Sequence, residues 1–161
     1  MKTTTSLAAI LLFSLFSIGA RATSLPSVIG TYSYPHKIAF LSYADQAACE
    51  GDQGKWEDDV CVMDASDDVT VTAAAKLGAA GPFVLAISTV TNNAHMCDFS
   101  QPARAVGANV LVASEKNAEG VCTVTATFAS DRTSVSIKTK GTCDDDCGMN
   151  ARLDIGRAER K

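Results

Sequence analysis

After residue 68 the chain alternates apolar and polar positions in short runs. The stretch 69–73 reads Val-Thr-Val-Thr-Ala, and 83–90 is rich in branched apolar residues. Further runs follow at 95–99, 109–113, 121–129, 134–140 and 149–155. Turn-forming residues separate them, at 78–82, Asn92-Asn93, Gly107, 116–120 and Ser130-Asp131. A period of two broken by such turns predicts strands with one buried face. The expected fold class is all-β, an antiparallel meander closed as a small barrel or folded as a sandwich. A helical alternative covers 73–80, where Gly78 and Gly81 limit its length.

Parity then assigns faces and, through them, cysteine partners. In 121–129 the even positions Cys122, Val124, Ala126 and Phe128 form the core face, against Thr123, Thr125 and Thr127. In 134–140 Val135 and Ile137 point inward, and Cys143 continues that parity. The two strands form a hairpin turning near Asp131-Arg132. Reflection about that turn places Cys122 opposite roughly residue 141, so Cys143 is the nearest inward partner. Cys49 and Cys61 bound a polar loop with Gly51, Gly54 and the single Trp, and local closure pairs them. Cys97–Cys147 remains, and it ties an early strand to the last one. That strand carries Met149, Ala151, Leu153 and Ile155 on one face. The fold is therefore expected to be disulfide-braced. A zinc site is the rival reading, but only Cys143 and Cys147 have half of the spacing it needs.

The N-terminus places the cysteines in an oxidising compartment. Lys2 precedes an apolar run at 7–18, and Ala20-Arg21-Ala22 follows. This order is that of a secretory signal peptide, with cleavage expected near Ala22. The run is shorter than the ~20 residues a membrane-spanning helix needs. Periplasmic or secreted localisation is expected, with no membrane span after processing. The expected organisation is 1–22 signal peptide, 23–68 an N-terminal arm with the Cys49–Cys61 loop, 69–155 the β domain, and 156–161 a disordered charged tail. Within the arm, 63–68 is read as an acidic connector.

Charge narrows the partners. The 161 residues hold 14 Lys and Arg against 18 Asp and Glu, a net charge of −4. Loss of Lys2 and Arg21 with the leader makes the processed chain more acidic. A nucleic-acid binder needs a basic face, so that class is excluded.

Three segments carry a resemblance. They are Cys97-Asp-Phe-Ser-Gln-Pro-Ala-Arg-Ala-Val-Gly, Gly120-Val-Cys-Thr-Val-Thr-Ala-Thr-Phe and Gly141-Thr-Cys-Asp-Asp-Asp-Cys-Gly-Met-Asn-Ala-Arg. Together they resemble a small four-cysteine module, C…C…C-x3-C-G, of secreted and periplasmic bacterial proteins, some of them lysozyme-inhibitor-like. The likeness covers roughly 94–155. It implies a bacterial, exported protein and carries over no functional residue.

Candidate chemistry is sparse. His36 and His95 are the only histidines, and no G-x-S-x-G elbow accompanies them. His95 shares parity with Cys97 and Phe99 and is read as a half-buried strand residue, whereas His36 is read as solvated. The acidic clusters are Glu57-Asp58-Asp59, Asp64 with Asp67-Asp68, and Asp144-Asp145-Asp146. None has calcium-loop spacing, so solvated loops are favoured over calcium sites. No catalytic residue, cofactor or metal is expected. Asp144, Asp145 and Asp146, anchored between two cysteines, are the expected contact surface for a basic partner. Trp56 is read as an interface anchor or as the core of its own loop. The expected function is a monomeric, non-enzymatic binding or inhibitory module that docks a basic protein such as a lysozyme. The alternatives are a lipocalin-like carrier of a small apolar ligand, a structural envelope protein, and a hydrolase using His95.

Overall fold

The computed structural model describes residues 28–78, 81–145 and 147–161. The proposed leader lies outside these residues, as does Asp146. Nine strands form one antiparallel sheet: β1 (Gly30–Phe40), β2 (Lys55–Glu57), β3 (Val60–Gly78), β4 (Gly81–Thr91), β5 (His95–Gly107), β6 (Val110–Lys116), β7 (Val121–Phe128), β8 (Ser134–Gly141) and β9 (Ile155–Arg160). A short helix, α1 (Gln46–Gly51), precedes β2. Pairing of β1 with both β3 and β9 closes an eight-stranded barrel, leaving β2 on its margin. The barrel alternative is therefore the observed one.

The parity assignments hold through the middle of the sheet. Cys122 stands opposite Gly141, and Val124, Ala126, Phe128, Val135 and Ile137 are all buried. Register stacks Tyr32, Val69, Ile87 and Phe99 across four neighbouring strands, and Phe83, Ala103, Ala113 and Val124 across another four. An eight-stranded barrel is just wide enough for side chains to fill it. Here one connected apolar cluster from every barrel strand occupies the inside. That filling removes the support a carrier reading would need. Tyr32 is fully buried, with its ring edge on Phe128 and its hydroxyl donating to the Val28 carbonyl at 3.1 Å.

Three readings from the sequence need correction. The boundary at residue 69 falls inside β3, and the arm supplies β1. Pro35 disguises β1, since proline removes a ladder donor. The amides of Ala39 and Leu41, at the same parity as Pro35, point away from β3 toward Asn92 and Asn93. The missing amide at 35 therefore faces the side where β9 stops at Ser33, and nothing is lost. The acidic connector 63–68 is likewise part of β3; it runs through the overhang beyond the β4 pairing up to Asp68, which pairs with Ser88.

The last strand is also displaced. Residues 149–154 are not strand; β9 runs from Ile155 through most of the supposed disordered tail. A bulge against β8 turns Ile155 and Ala158, three residues apart, to the same buried side. Bulges break the period of two, which hides such a strand from parity. Ala151 and Leu153 are buried as expected, while Met149 is 71% exposed. The helical alternative at 73–80 gives way to the β3 strand through Gly78.

Candidate functional site

The two barrel ends differ. One has short connections at 108–109 and 129–133; the other has the long segments 41–54 and 142–154. The disulfides are Cys49–Cys61, Cys97–Cys147 and Cys122–Cys143, the same three pairs that parity and local closure select. Cys61, Cys97 and Cys122 each lie within the first three residues of a strand that starts at the long-segment end. All three crosslinks therefore brace that end.

Local chemistry explains how each part is held. Asp45 caps α1 by accepting the Ala48 amide at 2.9 Å. Gly54 then passes against the disulfide, where an added Cβ would lie 2.5 Å from Cys61 Sγ. Asp58 and Asp59 both have positive φ, 49° and 64°, and form the two-residue β2–β3 turn. This acidic pair is hairpin chemistry. Trp56 stands across from Cys61 in β2 and is half-buried, between its two expected roles.

The barrel mouth is tied by side chains. Asn92 and Asn93 accept the amides of Ala39 and Leu41, each at 2.9 Å, in place of a neighbouring strand. His36 is not solvated. Its Nε2 lies 3.1 Å from Asp67 Oδ1, its side chain is 20% exposed, and its ring stacks on Tyr34. Asp67 also accepts the Val90 amide at 2.9 Å, so the pair joins β1, β3 and β4. The histidine that meets an aspartate is thus His36; His95 is half-buried where the chain passes close to Gly148.

Asp68 has structural work of its own. Ser33 donates to it at 2.6 Å, Ser66 at 3.0 Å and Lys161 Nζ at 3.0 Å. Burial raises its pKa, but the donors from Ser33, Lys161 and Ser66 outweigh burial and hold it below the ordinary 3.8. A carboxyl with a depressed folded pKa adds stability above its unfolded pKa and loses it as pH falls through the folded value. Asp68→Asn is therefore expected to flatten the acid limb of the stability curve below about pH 4. Urea midpoints measured from pH 6 to pH 2 check this; superimposable acid limbs would refute it.

Asp144 and Asp145 differ from the other acids. Both are exposed, in a loop where the Cys147 amide donates to the Asp144 carbonyl at 3.1 Å. The chain then returns to β5, with the Gly148 amide on the Met96 carbonyl at 2.9 Å. Four exposed apolar side chains share this end: Leu41 at 72%, Met96 at 51%, Val121 at 52% and Met149 at 71%. The sequence reading missed them, because exposure depends on neighbours from other strands. Among the described residues, no three of His, Cys, Asp or Glu converge as a metal-holding group, and no helix is long and apolar enough to cross a membrane. No family model, curated protein or solved structure matches the chain.

Proposed function

We propose that this chain is an exported, non-enzymatic binding module that docks a basic protein through its disulfide-braced end. One observation carries the reading. All three crosslinks and both long connections gather at the end that presents Asp144, Asp145 and the exposed Leu41, Met96 and Met149. Disulfides belong to oxidising compartments, in keeping with export. A rigid apolar patch with a charged rim is the usual make-up of a protein interface. The acidic rim selects a basic partner and speeds the encounter. The partner to test first is a lysozyme-type muramidase, in line with the four-cysteine resemblance.

Lysozymes of several types should lose activity when the purified protein is added in stoichiometric excess. Asp144→Asn with Asp145→Asn should weaken that inhibition ~10-fold, mainly by slowing association. Full lysozyme activity across the series would overturn the proposed partner.

A further inference from the structure

The disulfide-braced end gathers the oxidisable sulfur of the chain. Three methionines lie among the described residues: Met63, Met96 and Met149. Met96 and Met149 supply two of the four exposed apolar side chains at this end. Met63 is placed differently. It is half-buried and stands opposite Ile38, itself 6% exposed, in the β1–β3 ladder. All six cysteines are closed in disulfides, so no thiol competes for an oxidant.

Backbone contacts keep the two exposed methionines together. Met96 precedes Cys97, and Met149 follows Cys147 by two residues, so the Cys97–Cys147 bridge ties both positions. Gly148 lies between Cys147 and Met149. Its amide donates to the Met96 carbonyl at 2.9 Å, and a Cβ on it would stand 3.2 Å from the Met96 nitrogen. Each thioether is thus anchored through its backbone while its side chain stands open to water.

We propose that Met96 and Met149 form a reversible oxidation site that controls the apolar patch, with a peroxide as the oxidant. The thioether sulfur attacks one peroxide oxygen, the O–O bond breaks and an S=O bond forms. The displaced hydroxide takes the proton left on the transferred oxygen and departs as water. Sulfur gives up two electrons, and the peroxide is reduced. A dithiol sulfoxide reductase reverses the step, releasing the oxygen as water while its thiols close to a disulfide. Each sulfoxide turns a flexible apolar side chain into a polar one. Leu41 and Val121 carry no sulfur, so oxidation removes half of the patch. Control of docking rests on the reading of this end as an interface, whereas the oxidation itself does not.

The test exposes the full chain to hydrogen peroxide and maps sulfoxides by peptide mass. Met96 and Met149 should oxidise about tenfold faster than Met63, following their exposure. The oxidised protein should keep its urea midpoint, because both side chains stand in solvent, yet leave a phenyl column earlier. Its inhibition of lysozyme should weaken about tenfold, as loss of central apolar contacts does. The two sulfoxide reductases, one for each epimer, should restore both retention and inhibition. Met96→Leu with Met149→Leu should match the parent in both readouts, before and after peroxide. Equal oxidation of Met63, a urea midpoint lowered by oxidation, retention unchanged by peroxide, or a double variant that still responds would each overturn the proposal. Peroxide-sensitive retention in a protein that leaves every lysozyme fully active would support the oxidation site and refute only the lysozyme reading.

Discussion

A variant carrying alanine at both Cys97 and Cys147 is expected to lose about 4 kcal/mol of unfolding free energy, the largest loss among the three crosslinks. The ranking follows from loop length. The bridges span 50, 21 and 12 residues for Cys97–Cys147, Cys122–Cys143 and Cys49–Cys61. Loop-closure entropy grows with the logarithm of that length, giving about 4, 3.3 and 2.8 kcal/mol in that order. Position adds to the difference. Cys147 anchors the segment 142–154, which delivers buried Ala151 and Leu153 to the core. Apart from this bridge and Cys122–Cys143, the segment is held by a few polar contacts. Thr89 donates to the Arg152 carbonyl at 2.7 Å, the Gly148 amide to Met96, and the Thr139 amide to Asp154 at 2.7 Å. Urea unfolding of the three paired-alanine variants measures the order directly. A Cys49–Cys61 variant less stable than the Cys97–Cys147 variant would contradict it.

The cysteine pairs were legible because they depend on quantities a single chain carries: strand parity, one hairpin turn and local loop closure. Closure of the barrel was not legible, because it rests on β1 meeting β3 and β9 across long sequence distances. Two of those strands, β1 and β9, also break the pattern that reveals strands. Pro35 interrupts β1 on an edge that needs no donor, and the bulge in β9 puts Ile155 and Ala158 on one side. The acidic loop at Asp144 and Asp145 stood out between its two cysteines. By contrast, Asp58 and Asp59 serve a tight turn and Asp67 serves His36 and Val90, roles set by backbone angles and by register.

Gly141→Ala is expected to cost about 3–5 kcal/mol and to leave Cys122 and Cys143 partly unpaired. Gly141 has φ of +93°, a conformation that residues with side chains rarely adopt. An added Cβ would also overlap the Val121 carbonyl oxygen, which is backbone and cannot swing aside. The same residue faces Cys122 in the ladder, two positions before Cys143. Relief of the overlap must move either β7 or the start of the 142–154 segment, and each movement separates the two sulfurs. Gly51 supplies the control. It has nothing within 4 Å of an added Cβ, so Gly51→Ala is expected to change stability by less than ~1 kcal/mol. Urea unfolding with a free-thiol titration reads both effects. A Gly141→Ala protein within ~1 kcal/mol of the parent and free of titratable thiol would show that the hairpin end is soft. Steric overlap at the backbone would then not be what aligns Cys122 with Cys143.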